Sequence, residues 1–454
     1  MSGPKLNTGP ARGMRDFLPV DVRRRAFVID VVTRVYQSYG FEPLETPAVE
    51  NIETLLGKYG EEGNQLIYKI LKRGEHESTG QADLALRYDL TVPLARVVAE
   101  HRAKLPRLFR RYQIQPVWRA DRPARGRYRE FYQCDVDALG STSAAIEAEL
   151  CGAVSQVLTE LGFEDFRIRL NHRELLRAVL QAAGVPEGLH GEALIAVDKL
   201  DKIGPEGVTG ELTARGVAPQ AARALLGVFA GGEAENGALL SSLEAFVTGG
   251  AAGVAVPACL ENLREILALT EGTPAAGRLR VDPSLARGLS YYTGAIFEIA
   301  VPDLAGSLGG GGRYDGLVGM FSGEQVPACG FSLGLERILV VMGERNLFPP
   351  ALTAAPADVM ISVFRPEDLG RAMQSALVLR QGGLRVFVYP DVDKMGKQLK
   401  YASGCGIPCV AILGESELAA GTVSIKALAS GRQDTVALAD AARTIQDFLG
   451  EVRG

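Results

Sequence analysis

The sequence predicts a chain of several domains: strand-bearing segments on either side of a long helical stretch, then a linker and a small α/β domain. Three observations carry this expectation. At 454 residues the chain exceeds what one hydrophobic core usually holds. From about Glu174 to Thr270 the composition turns to Ala, Leu, Gly and Glu in helical periods, without aromatic strands. After Met342 the proline-rich run NLFPPALTAAPAD reads as a linker, and alternating strand and helix patterns follow it.

Taken in order, Val22 to Tyr39 carries apolar residues at 28, 31, 32 and 35, the pattern of an amphipathic helix that Gly40 closes. FEPLETPAVE holds Pro43 and Pro47 and must be extended, because proline fixes φ and donates no hydrogen bond. Thr91 to Glu100 and Ala144 to Glu160 read as helices, and FYQCDVDAL between them alternates as a strand. Strand texture returns from Arg278 to Val301, with Leu289 to Ile299 as a single strand, and continues through GSLGGGGRYDGL. CGFSLGLERILVV, from Cys329 to Val341, is a glycine-punctuated strand running into an apolar helix that carries Arg337. Beyond the linker, DVMISVF, a helix from Glu367, LRVFVYP, a helix near Lys397 to Ser403 and PCVAILG predict a mainly parallel sheet.

Composition narrows the class. With 47% hydrophobic and 23% charged residues, the chain reads as an ordinary globular protein, not a disordered or fibrous one. No apolar run approaches membrane-spanning length, and MSGPKLNTGPARGMRDF lacks the apolar core of a signal peptide, so a cytoplasmic location and no membrane partner are expected. The six cysteines, at 134, 151, 259, 329, 405 and 409, are too scattered for a disulfide framework and predict reduced thiols. Cys405 and Cys409 lack a second pair or nearby histidine, and no metal is assigned to protein side chains. His76, His101, His172 and His190 share no ligand spacing, and no GxxxxGK[ST] loop is present.

Net charge is -5, but Arg102 to Arg129 holds ten Lys or Arg and one acid, a local balance of +9. Phe109, Tyr112, Trp118 and Tyr128 interleave with these charges, which suits contact with phosphates and bases; a solvated basic helix is the competing reading. Arginine beside glycine-rich strands points to polyanion chemistry by fixed charge. Arg119 ends one strand, a loop with Arg122, Arg125, Arg127 and Arg129 follows, and in the returning strand Gln133, Asp135 and Asp137 share one face. In LARGLSYYTGAIFEIA, Arg287 is either ion-paired for structure or held out to an anion.

Four stretches, RGLSYYTGAIFE (287 to 298), GGGGRYDGL (309 to 317), LRYDLTVPLAR (86 to 96) and GRYREFYQCDVD (126 to 137), resemble the histidyl-tRNA synthetases, a class II aminoacyl-tRNA synthetase family. The segment ending at Pro47, Val117 to Asp137 and Cys329 to Val341 are similar to the three class II motifs, and KQLKYAS (397 to 403) to the family's anticodon-binding domain. The resemblance implies an α+β catalytic domain with a mainly antiparallel sheet over residues 1–170 and 273–345, a helical insertion over 171–272, a linker over 346–356 and an anticodon-binding α/β domain over 357–454. It implies ATP-dependent activation of L-histidine to histidyl-adenylate, with Mg²⁺, then transfer of histidine to tRNA(His) by a homodimer.

The resemblance also implies residue roles. Arg119 is similar to the arginine that grips the ATP α-phosphate, Arg337 to the one on the far phosphates, and Arg287 to an extra active-site arginine; Arg127 and Glu130 join the ATP site. Asp89, Leu90, Thr91 and Gln133 fall where relatives hold the amino-acid substrate, Asp137, Tyr291 and Tyr292 where they read the imidazole. Gly310 lies in a glycine floor from 309 to 312, against which substrate is expected to lie. The family most often has aspartate where this chain has Ser290. Two other readings compete: a synthetase-like regulatory subunit of ATP phosphoribosyltransferase, and a non-catalytic RNA-binding module. The retained arginines and the C-terminal domain speak against the first, the acids at 135 and 137 and the tyrosine pair against the second.

Overall fold

The structure, a computed structural model, describes residues 7–74, 79–197, 199–229, 234–249, 257–286, 291–353 and 355–453. Contacts divide the chain into two compact units, Met1–Phe348 and Pro349–Gly454.

Eight strands organise the first unit: β1 (Glu42–Pro43), β2 (Phe109–Trp118), β3 (Glu130–Leu139), β4 (Arg167–His172), β5 (Leu279–Val281), β6 (Ala295–Ala300), β7 (Gly309–Arg313) and β8 (Ala328–Gly334). They form one sheet in the order β1-β2-β3-β8-β7-β6-β4-β5. Only the outer pairs, β1 with β2 and β4 with β5, are parallel; the rest are antiparallel. Alternation sorts the long strand β3 into two faces. Cys134, Val136 and Ala138 join a hydrophobic core with the helix Pro19–Ser38, whose Val28, Val32 and Val35 are buried, and with the helix Ala145–Glu160. Gln133, Asp135 and Asp137 therefore point to the opposite face, and they too are buried.

The long helical stretch runs from Arg173–Ala182 to Ala258–Thr270. Its texture set it apart in sequence, but its buried Leu239, Leu240, Leu260 and Leu263 belong to the same core as Ile168 of β4 and Leu279 of β5. Periodicity reports that a helix has an apolar face, not what that face meets.

The expected strand from Leu289 to Ile299 begins only at Ala295, and residues 287–290 lie outside the described part. Adjacent residues of a strand face opposite sides. Tyr291 and Tyr292 instead both sink into one hydrophobic cluster, their ring centroids 4.9 Å apart.

In the second unit, Val386–Val388, Val359–Ser362 and Cys409–Ile412 pair in parallel, as the alternation of strands and helices predicts. Thr422–Ala427 and Gln433–Ala437 then extend the sheet as an antiparallel hairpin. The sheet is thus parallel in one half only; the polar edge strand QDTVA gave no apolar signal to mark it.

Candidate active site

A cavity of about 270 Å³ opens over the polar face of the sheet. Arg119, Arg127 and Arg337 line one part of it, and Asp89, Thr91, Gln133, Tyr291, Tyr292 and Gly310 also border it. Arg287 and Ser290 lie outside the described residues. Two further expected residues stand off the cavity: Glu130 opens β3 opposite Trp118, and the side chain of Leu90 is fully buried in the fold.

Each arginine is held by its own element. Arg119 follows the last residue of β2; its Nε donates to the Tyr88 carbonyl at 3.0 Å, and its guanidinium lies 4.3 Å from the Tyr88 ring centroid and 5.2 Å from that of Phe131. Two aromatic faces thus fix the cation's plane. Arg337 sits in the first turn of the helix Leu335–Glu344, which leaves β8 directly, and its Nη1 donates to the Ser307 carbonyl. Arg127 pairs with Asp121 at 2.8 Å.

The basic run 102–129 is a strand flanked by turns and a loop, not a helix, and three of its ten cations are matched by acids elsewhere in the fold. Arg110 pairs with Glu149, Arg111 with Asp137 and Arg125 with Glu344, while Phe109 and Tyr112 are buried. Those two rings are core residues and offer no stacking surface to bases.

Asp89 precedes the helix Thr91–Glu100 and is 1% exposed. Tyr59 and Tyr291 hydroxyls donate to it at 3.0 and 3.3 Å, and the Val92 N–H donates at 3.0 Å. Burial raises its carboxyl above the ordinary range, and these donors together with Arg119 pull it back. Arg87, also 1% exposed, donates to the carbonyls of Thr46 and Pro116 at 2.6 and 2.8 Å, and so ties the segment bearing Asp89 to the extended prolines and to β2.

Deeper in, a smaller hollow is lined by Asp135, Asp137, Tyr292, Gly310, Tyr314 and Ser332. Arg111, fully buried in β2, reaches Asp137 at 2.9 Å, and the Tyr314 hydroxyl donates to the same carboxylate. Burial lifts both acids, Asp135 to about 7, against the pull of Arg111. Gly330 makes room for Asp137: a Cβ there would lie 1.9 Å from its Oδ1. A Cβ at Gly309 or Gly311 would come within 2.4 or 2.0 Å of the carbonyls of Ser332 and Gly330. Glycine at those two positions is therefore required by the neighbouring strand β8, and the expectation of a substrate-set floor does not extend to them. Sequence reasoning missed Arg111, Tyr314, Ser332 and Glu336. The last accepts from Arg25 at 2.7 Å and from the Tyr132 N–H at 2.9 Å. Arg111 had a signal, a charge in an alternating strand ahead of a strand with two acids on one face.

Residues 13–338 match the sequence family described as histidyl-tRNA synthetase, and residues 358–448 match one described as anticodon binding domain. A histidine–tRNA ligase from Porphyromonas gingivalis is 41% identical over 451 residues, covering 96% of this chain and 98% of that one. The ligase from Gloeobacter violaceus is 40% identical over 470 residues, with 97% and 99% covered. The crystal structure of histidyl-tRNA synthetase from Nostoc sp. superposes with a TM-score of 0.79 at 31% identity, covering 98% of this chain and all of that one. A Bacillus halodurans chain described as ATP phosphoribosyltransferase regulatory subunit/histidyl-tRNA synthetase shares the fold at 21% identity and a TM-score of 0.72. Matches at this identity run through both compact units, and the chain belongs to the histidyl-tRNA synthetase family.

Proposed function

We infer that this chain activates L-histidine with ATP and ligates it to tRNA(His). The observation that carries the reading is one cleft bordered by Arg119, Arg337, the buried carboxylate of Asp89 and the entrance to the Asp137 hollow. The histidine carboxylate is itself the nucleophile, so no protein base is needed. Its oxygen bonds to the α-phosphorus, the bond to the bridging oxygen breaks, and pyrophosphate leaves. Arg119 takes the α-phosphate and Arg337 the far phosphates, planar forks that suit phosphate oxygens better than lysine would. Arg127 neighbours the nucleotide, and family resemblance adds Arg287 as a further cation for the α-phosphate and the substrate carboxylate. Asp89 holds the substrate ammonium, with Thr91 and Gln133 beside it. Asp137, Tyr291 and Tyr292 read the imidazole, since polar groups left unpaired by other side chains are costly. The tRNA 3′-terminal hydroxyl then displaces AMP from the adenylate.

Mg²⁺ enters this family's reaction with ATP. Among the described residues no three acidic, histidine or cysteine side chains converge as a metal site, and the two carboxylates bordering the nucleotide end, Asp121 and Glu336, are paired with Arg127 and Arg25. These residues do not form a protein seat for the ion.

The chain works as a homodimer. Val49, Leu71 and Leu84 of the small sheet Val49–Asn51, Lys69–Leu71 and Ala82–Leu86 are exposed beside the extended prolines, an apolar face suited to a second copy. Its place of action is the cytoplasm; among the described residues no helix is long and apolar enough to cross a membrane.

Histidine-dependent exchange of pyrophosphate into ATP, followed by charging of a tRNA(His) transcript, tests the whole reading. Exchange and charging are both expected; exchange no higher than without histidine rejects it and favours the regulatory-subunit alternative.

A further inference from the structure

Strand β3 turns Asp135 and Asp137 into the same hollow, each 2% exposed, and one cation serves both. Arg111 Nη2 stands 2.9 Å from Asp137 and 3.8 Å from Asp135. Ser332 of β8 faces Asp135 in the strand register. Among the described residues, the other titratable groups within electrostatic reach are Asp89, Tyr36 of the first helix, Tyr314 after β7, Cys134 of β3 itself and Cys329 of β8. Burial raises the two phenols and the two thiols far above neutrality, so they stay uncharged, and Asp89 has Arg119 for its own counter-charge. The cluster around Arg111 is left with one positive charge against two potential negative ones, shielded from water, where an uncompensated charge is costly.

One proton, or one cationic ligand group, completes such a cluster. The hollow opens into the main cleft through shared residues Thr91, Tyr292, Gly310 and Ser332. Among amino acids, histidine alone has a side chain that can arrive neutral or cationic near neutral pH.

We propose that Asp135 is a specificity-determining residue which, set with Asp137 around Arg111, makes this subsite accept the histidine ring as an imidazolium. The proposal rests on the histidine-activating reading above. In the empty site, burial pushes the Asp135 carboxyl up to about 7, so the cluster carries one proton below neutrality. The occupied site holds one proton, on the ring. Below neutrality both the free ring and Asp135 are protonated, and binding releases one proton; above it neither is, and binding takes one up. Histidine affinity is therefore highest near neutrality and falls on the alkaline side towards about tenfold per pH unit. Asp135→Asn leaves Arg111 matched one-to-one with Asp137, a neutral cluster that takes the neutral ring, with affinity flat from about pH 7 to about pH 8.5.

Calorimetry of histidine binding to the full chain at about pH 8, in two buffers of different ionisation enthalpy, reads the proton directly. The native chain is expected to take up about one more proton per histidine than Asp135→Asn, a difference in which the substrate amino group cancels. Equal uptake by both overturns the proposal. So does a native affinity that does not fall between about pH 7 and about pH 8.5, whatever the variant does. A native chain that binds no histidine overturns the functional reading and this proposal with it.

Discussion

Arg119 shows how a side chain is prepared before any substrate arrives. Its plane is set by Tyr88 and Phe131 and its Nε is tethered to a carbonyl, so little orientation is left to be fixed during the reaction. Arg119→Ala is expected to lower kcat/KM for pyrophosphate exchange by about 10²- to 10³-fold, the scale of losing one preorganised donor to a developing charge; an unchanged rate in steady-state exchange assays would remove it from the phosphate site. Tyr291→Phe deletes one of three donors to Asp89 and should raise the histidine KM by about tenfold or less, in line with one buried hydrogen bond, with kcat nearly unchanged. Arg119 and Tyr291 stand out in the sequence because an arginine that ends a strand and opens an arginine-rich loop, and a tyrosine pair in a strand-like run, are unusual company. Arg111 was harder to pick out, because the meaning of a charge in an alternating strand depends on Asp137 of another strand.

At the scale of elements, the site stands on strands locked together from behind. Arg313 of β7 donates from Nε and Nη2 to Glu147 of the helix Ala145–Glu160 at 2.6 and 2.7 Å, with Glu147 fully buried. Removing one partner of a buried pair leaves the other charge unpaired, so Arg313→Met should destabilise the first unit by about 3–5 kcal/mol, measured by denaturant unfolding. Gly311→Ala forces a Cβ against the Gly330 carbonyl and must part β7 from β8; lost activity together with a lowered thermal midpoint is expected, and a variant of native stability would contradict the close approach. The helix Pro19–Ser38 was legible because it has one dry and one wet side, with Val28, Val32 and Val35 buried and Asp30, Arg34 and Gln37 exposed. The short run at Tyr291 and Tyr292 misled because aromatic content signals burial in a turn as readily as in a strand.

At the scale of the whole molecule, the two units have separate cores, the second built from residues such as Val359, Ile361, Ile425 and Phe448. A chain ending at Phe348 should therefore keep histidine-dependent exchange while charging of tRNA(His) falls; equal charging by the full and shortened chains would deny the last unit its tRNA role. The proposed homodimer predicts that the native chain sediments as a dimer and that Leu71→Asp, on the exposed apolar face, sediments as a monomer; a monomeric native chain would reject it. By itself the sequence located helices such as Pro19–Ser38 and Thr91–Glu100 and strands such as Glu130–Leu139 and Val359–Ser362, because periodicity, proline and glycine act locally. Only the tertiary structure decided that the middle helices share the sheet's core, that Arg110, Arg111 and Arg125 of the basic run meet acids from distant parts of the chain, and that Arg111 stands between Asp135 and Asp137. Those outcomes depend on contacts between residues far apart in the chain, and on the cost of leaving any buried charge without a partner.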